Sequence, residues 1–346
     1  MWVKGEYFDD FDAVEAAARG SLDRTAQPAL FNRLEWFRRT WAHCPPGVRP
    51  LVARAVSEKA QCWLFLARQQ DGSLTALASW YTLAFQPVFS GVADDALKLR
   101  LLTAIAKRVR GTLKVKRLAL APVPVEDGSA ALLATAFRRA GWKVVRSSAT
   151  VNWIADTPEI SFARYWSARP GELRSTVARK LAKAQIDFDV HTTFDAVTWK
   201  SYEVIYKESW KPDEGSADFL RAMAAHEAAA GTLRLGIAKL DGRPVAAQIW
   251  TVENGSAIIH KLAYVEDAAE HSPGTLLSAA MFEHVLDKDG VSLIDYGTGN
   301  DGYKANWMDR ARPLEHLEMY NPRTIGGWVG WARATLGNLV RGRSVD

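Results

Sequence analysis

Four residues near one another in the chain have side chains suited to moving a proton or holding a charge: His260, Asp295, Tyr303 and Lys304. His260 lies in Ser256 to Tyr264, whose alternation predicts a strand with Ile258, His260, Leu262 and Tyr264 on one side and Ile259, Lys261 and Ala263 on the other. An imidazole titrates near neutrality, so His260 can accept a proton, directly or through water; the alternative is a hydrogen-bonded structural histidine. Asp295 ends a second predicted strand, Val291 to Tyr296, where it can orient His260, bind a positively charged group or cap the glycine-rich turn that follows. Tyr303 and Lys304 open a short helix beyond that turn. Lys304 can stabilise an oxyanion or a phosphate or remain a solvated surface lysine, and Tyr303 can simply pack the helix. Between the two strands, Ser272-Pro273-Gly274-Thr275 reads as a helix start with a capping serine and proline at the first helical position. The amides of Gly274, Thr275 and Leu276 would then lie at the positive end of the helix dipole and offer a place for a phosphate.

These residues need a scaffold, and strand, helix, strand is one: a parallel crossover with its polar groups at the carboxyl ends of the strands, where open α/β sheets bind ligands. Its helix carries Leu276, Leu277, Ala280, Met281, His284 and Val285 on one stripe and stops at Asp289-Gly290. The 346 residues suit two domains. Residues 30–43 predict a helix, 48–56, 61–68 and 74–83 strands, 97–109 a helix, 117–122 a strand, 129–140 a helix and 144–154 a strand. A break at Asp156-Thr157-Pro158 divides domain 1–156 from domain 157–322, leaving a tail at 323–346. In the second half a long helical pattern over 161–184, interrupted near Pro170-Gly171, precedes a strand at 186–191, helices at 198–208 and 216–230, a hairpin about Asp241-Gly242, the crossover and a strand at 314–320. The two halves repeat one order of elements. The fold class is therefore α/β, two mixed sheets each flanked by helices, with an amphipathic helix at the carboxyl end.

Composition limits the function. Hydrophobic residues at 48% and charged residues at 24% are those of a globular protein, and the net charge of +5 favours an anionic partner without choosing one. Cys44 and Cys62 suggest neither a disulfide framework nor a metal cluster, and His43, His191, His226, His271, His284 and His316 lack metal-ligand spacing, so no metal is expected. The amino terminus has no basic and apolar signal pattern, and no stretch is apolar enough to span a bilayer, which predicts a cytoplasmic protein. Fourteen tryptophans suggest a lined pocket or contact with a membrane interface.

Taken together, DGRPVAAQIW, the SPGTLL helix start, LIDYGTGNDGYKANW and the paired halves resemble the GNAT N-acyltransferase fold, in particular the CelD-type, FemAB-related branch with two GNAT-like domains. The resemblance covers residues 150–322 well and the first half by element order. It implies a degenerate first domain, structural or acceptor-binding, and a catalytic second one that moves an acyl group from a thioester to an amine without an acyl-enzyme. It also implies a base at His260, a tyrosine at Tyr303 that protonates the leaving thiolate, and at Lys304 the lysine of FemAB-type transferases. Acyl-CoA is the implied donor. The loop before the helix reads Glu270-His271-Ser272-Pro273-Gly274 in place of the usual pyrophosphate motif, so acyl carrier protein and aminoacyl-tRNA stand beside it. Donor contacts fall to Ser272, Gly274, Thr275 and Leu276, and acceptor contacts to Tyr264, Arg174, Arg179 and Lys180.

The helix from Arg174 to Lys183 is basic on one face, either solvated or a dock for a phosphate-bearing substrate. Nucleic-acid binding would need a concentrated basic patch with interleaved aromatics, which only this helix approaches. In the tail, Ile325, Trp328, Ala332, Leu336 and Leu339 form an apolar side and Arg333, Arg341 and Arg343 add charge. Such a helix suits the surface of a membrane, here its cytoplasmic face, or packs on the core or a second subunit. The membrane reading points to a lipid amine as acceptor, such as the sphingoid base of a bacterial ceramide synthase. An amino sugar of a polysaccharide is the alternative acceptor, and a non-catalytic module of an exopolysaccharide or membrane complex the alternative role.

Overall fold

The computed structural model of the chain describes residues 2–340, with side chains to residue 337. Among the described residues, 2–151 with 312–340 form one compact unit, and Asn152–Ala311 form a second.

The first unit opens with β1 (Lys4–Phe8), α1 (Phe11–Ala18) and α2 (Leu34–His43). Strands β2 (Arg49–Val56), β3 (Ala60–Arg68), β4 (Leu74–Ala76) and β5 (Val88–Gly91) follow, then α3 (Asp95–Thr112), β6 (Arg117–Pro124), α4 (Ser129–Arg139) and β7 (Lys143–Asp156). Strand β2 pairs antiparallel with β3, placing Val52 opposite Phe65, and Phe37 of α2 stacks on Phe65 at 3.8 Å. The predicted strand over 74–83 ends at Ala76. Beyond it the Ser79 amide donates to Thr82 Oγ1 at 3.2 Å and the Thr82 amide to the Ser79 carbonyl at 2.9 Å, a local turn that competes with the strand ladder. Strands β1 and β5 escaped the sequence reading.

The second unit contains α5 (Phe162–Ser167), α6 (Gly171–Leu181), β8 (Ile186–His191), α7 (Ala196–Lys207) and α8 (Ala217–Ala229). Then come β9 (Leu233–Leu240), β10 (Arg243–Glu253), β11 (Ser256–Tyr264), α9 (Pro273–Glu283) and β12 (Leu293–Thr298). The end of β7 starts a sheet that runs β7-β12-β11-β10-β9-β8, antiparallel except between β11 and β12. The long predicted helix is two, because Pro170 lacks an amide and disfavours helical backbone at Arg169. Helices α7 and α8 cover one face of the sheet, α9 the other, with α6 packed on α9. In place of a single apolar stripe, α9 is buried almost all round. Gly236 of β9 lets it approach, since a Cβ there would stand 2.5 Å from Met281 Sδ.

The chain then rejoins the first unit through β13 (Arg310–Tyr320) and α10 (Ile325–Val340). Strand β13 pairs antiparallel with β6, Leu317 opposite Leu120, and Arg146 forks onto Glu315 at 2.7 and 2.9 Å. These bonds put residues 314–320 with the first half, where sequence order alone assigned them to the second. Among the described residues no helix is long and apolar enough to cross a membrane.

Candidate active site

Strands β11 and β12 pair only over Ser256–Ile258 with Leu293–Asp295 and then part. Beyond Ile258 the edge of β11 facing β12 has no strand partner among the described residues, so a wedge opens in the middle of the sheet. A β-bulge sits beside it: Ile249 faces Lys261 and Trp250 faces Ile259, which leaves His260 as the extra residue. The bulge breaks the predicted alternation. His260 Nε2 lies 2.9 Å from Thr251 Oγ1 and within the field of Glu227 on α8, while Lys261 Nζ lies 2.9 Å from Glu214 in the α7–α8 loop. Both therefore face α7 and α8. Tyr264, expected on the side of His260, instead lies against Gly274 of α9.

Burial pushes the His260 imidazole down to about 4, against the opposing pull of Glu227. A histidine of ordinary pKa in the unfolded chain and a depressed one in the fold binds more protons when unfolded. Stability should thus rise with pH between about 4 and about 6.5, and be lost as pH falls through that window. The contribution is about 2 to 3 kcal/mol at neutral pH. Urea titrations of wild type and His260→Gln across that window check it, the variant showing the flatter profile.

Asp295 is buried, accepting from Asn152 Nδ2 at 2.8 Å and from the Gly297 amide at 2.8 Å. It thus caps the turn as one reading required, and it also holds a side chain from the adjacent strand. Lys304 is not a surface lysine: it is 6% exposed, and its ammonium donates to the Thr298 carbonyl at 2.6 Å and pairs with Asp301 at 3.3 Å. Burial lowers its pKa, while Asp301 and Asp295 oppose the shift. Tyr303, on the same short 3₁₀ turn, sets its ring edge-on to Tyr296 at 5.9 Å and stays 46% exposed. Burial and Asp301 push its phenol up to about 12.

The start of α9 differs from the expected phosphate cradle. Ser272 adopts left-handed backbone with φ 54° and makes no side-chain cap, and its carbonyl already takes the amides of Thr275 and Leu276 at 3.1 Å each. Gly274 is required by packing, since a Cβ there would stand 2.9 Å from the Tyr264 ring. Its carbonyl accepts from Gln248 Nε2 at 3.2 Å and Ser278 Oγ at 3.0 Å, and Trp250 Nε1 closes the buried network on Gln248 Oε1 at 2.8 Å. Gly274→Ala should cost about 1 to 3 kcal/mol in urea denaturation. Added to Tyr264→Ala, it should cost clearly less, because the two changes share one contact.

On α6, Arg174 and Arg179 are exposed, and Lys180 donates to the Glu270 carbonyl, tying the helix to the loop before α9. These side chains stand apart from the His260 face. The residues that the sequence reading missed are Asn152, Glu214, Tyr296 and Lys211. The signal was present in the charged, proline- and glycine-bearing loop KPDEG between two helices. No cluster able to hold a metal occurs among the described residues.

Comparison with known proteins follows this geometry. Residues 168–305 match the family described as acetyltransferase (GNAT) domain. No curated protein matches the chain. Among solved structures, FemX is 12% identical with a TM-score of 0.58, over 90% of this chain and 96% of that one. The C-terminal domain of a putative lysylphosphatidylglycerol synthetase from Agrobacterium fabrum is 14% identical with a TM-score of 0.52, over 79% and 85%. A tandem GNAT protein from the clavulanic acid biosynthesis pathway is 14% identical with a TM-score of 0.50, over 91% and 98%. At such identities the likeness is one of fold: the chain has a fold like those of FemX and the tandem GNAT protein, and its residues 168–305 match the GNAT acetyltransferase domain.

Proposed function

We propose that the second unit transfers an acyl group from an activated donor to an amine by direct attack. The observation that carries this reading is the wedge between β11 and β12, bordered by the His260 bulge and followed by Asp295, Tyr303 and Lys304. An extended acyl donor can hydrogen-bond to the unpartnered strand edge as an added strand would. His260, neutral at working pH, accepts a proton only from an amine made strongly acidic by bond formation. Tyr303 donates a hydrogen bond to the departing sulfur or oxygen, and Lys304 supports the oxyanion. Acyl-CoA is the first donor to try, followed by acyl carrier protein and aminoacyl-tRNA.

A hydrophobic acceptor is supported by α10. Ile325, Trp328, Val329 and Leu336 are 86%, 47%, 44% and 62% exposed, along a helix whose other face seats Gly330 against Tyr320. Arg333 is exposed beside this stripe; Arg341 and Arg343 lie outside the described residues. An apolar stripe with arginines suits the surface of an anionic membrane, and one structural neighbour is named for lysylphosphatidylglycerol. A lipid amine such as a sphingoid base, acylated at the cytoplasmic face of a membrane, follows; a polysaccharide amino sugar is the competing acceptor. Val329→Glu with Leu336→Glu, both at exposed positions, should weaken binding to anionic vesicles at least about tenfold in flotation assays.

Thiol release from acetyl-CoA, palmitoyl-CoA and palmitoyl-acyl carrier protein, with sphinganine or glucosamine as acceptor, tests the reaction. Thiol should appear in step with amide. No turnover with any pair, together with no thermal stabilisation by CoA, would leave a non-catalytic binding module instead.

A further inference from the structure

The 3₁₀ turn Gly302–Asn306, which carries Tyr303 and Lys304, has an entry that cannot hold it. The chain arrives through Gly297 and Gly299, at φ 76° and 113°, where the missing side chains widen the freedom of the backbone, and Asn300, Asp301 and Gly302 are exposed. The two groups that bind the Lys304 ammonium, the Thr298 carbonyl and Asp301, lie on this same stretch. What fixes the turn must therefore act at its exit.

At the exit, the Lys304 carbonyl accepts the amides of Trp307 and Met308 at 3.0 Å each, so the backbone at 307 sets the backbone at 304. The Trp307 carbonyl in turn takes two donors from outside the turn: Tyr165 Oη of α5 at 2.5 Å and Arg169 Nη1, just beyond α5, at 2.8 Å. The other arm of the guanidinium donates to Asp309 Oδ1 at 2.6 Å. Asp309 is itself stitched to β7, taking the Asp156 amide on Oδ2 at 3.1 Å and giving its own amide to the Ile154 carbonyl at 2.9 Å. Arg169 thus spans residues 307 and 309 as a fork. Its guanidinium lies 4.5 Å over the Tyr165 ring, and Tyr165 and Trp307 both stack on Phe282 of α9, at 5.1 and 5.0 Å. Tyr165 is 2% exposed and the Arg169 side chain 10%. Burial raises the Tyr165 phenol well above its ordinary pKa, so it stays a donor. Arg169 Nε is buried without a hydrogen-bond partner, a desolvation cost that a surface ion pair would not carry.

We propose that Arg169 and Tyr165 are positioning residues for acyl transfer: by gripping the Trp307 carbonyl they fix the pose of Tyr303 and Lys304, and they touch neither donor nor acceptor themselves. The proposal rests on the acyl-transfer reading and assigns it two residues that carry no charge or proton to the reacting atoms. A shift of about 1 Å in groups that stabilise a transition state can cost on the order of 100-fold in rate, so a grip at the exit of the turn bears directly on turnover.

Hydrogen exchange read by mass spectrometry tests the grip without turnover. Tyr165→Phe keeps both ring contacts and loses only the hydroxyl, whereas Arg169→Met loses the fork. Exchange in residues 302–308 should quicken in both, about tenfold in Arg169→Met, with β9 unchanged. Unchanged exchange there in both variants overturns the grip. In kinetics, Arg169→Met should lower kcat about tenfold while KM for the donor stays within about twofold, and Arg169→Lys, whose ammonium cannot fork, should recover part of the loss. In a Tyr303→Phe background the same Arg169→Met change should cost only about threefold, because one of the two positioned groups is already gone. An equal loss in both backgrounds, or a kcat within about twofold of wild type despite faster exchange, overturns the positioning role. Faster exchange in residues 302–308 of the variants, with no amine turned over by wild type, would instead retain the grip and remove the transfer reaction.

Discussion

Tyr303→Phe is expected to lower kcat for acyl transfer about 100-fold, the usual effect of losing one hydrogen-bond donor to a developing anion. The urea midpoint should hardly move. The ring is 46% exposed and rests edge-on against Tyr296, and phenylalanine keeps that contact. Only the hydroxyl is lost. With its pKa pushed up to about 12, that hydroxyl stays protonated throughout the working range, so the role expected of it is to donate a hydrogen bond to the leaving group rather than to give up its proton. The pH profile of kcat should accordingly show no limb from Tyr303 ionisation at neutral pH. Steady-state kinetics with a denaturation curve separates this outcome from a general loss of structure. A fall in kcat of less than about threefold would remove Tyr303 from the reaction.

Asp295→Ala should do more, because it strikes fold and site together. The carboxylate is 8% exposed and takes one hydrogen bond from Asn152 and one from the Gly297 amide. Removing it strands two buried donors, at a cost of about 2 to 4 kcal/mol. Asp295→Asn keeps an acceptor for the Gly297 amide but sets a second amide against that of Asn152, so about half the loss should remain. Because Asp295 also bears on Lys304, the alanine variant should lower kcat beyond what its stability predicts. Chemical denaturation of the three proteins, with kinetics well below their midpoints, checks both parts.

Much of this architecture is legible in the sequence because its signals are local. Helix starts such as Asp195 before α7 and Ser216 before α8 carry capping side chains, and both cap as their residue types suggest. The strand, helix, strand unit from Ser256 to Thr298 follows from alternation and from the Pro273-Gly274 start. What is not legible depends on partners far away in sequence. Period-two alternation cannot anticipate the His260 bulge, because the bulge exists only in the pairing with β10. It moves Lys261 to the His260 face and leaves Tyr264 on the other. In the sequence Lys304 is open to two readings, an anion-stabilising ammonium or a solvated surface lysine, and only the folded Thr298 carbonyl and Asp301 around it remove the second. Lys211 carries no motif at all. Its lowered pKa comes from burial and from the charges of Lys261 and Lys304, both distant in sequence. The start of α9 misleads for a local reason: Ser272 takes left-handed backbone, so its carbonyl rather than its hydroxyl receives the first amides.

The most direct measurement of the central claim, that the donor enters where β11 and β12 part, is hydrogen exchange with and without a hydrolysis-resistant thioether of acyl-CoA. Slower exchange is predicted in residues 259–264 of β11 and in the turn carrying Tyr303 and Lys304, with little change in β8 and β9. Binding that leaves residues 259–264 unprotected while slowing exchange elsewhere would contradict it.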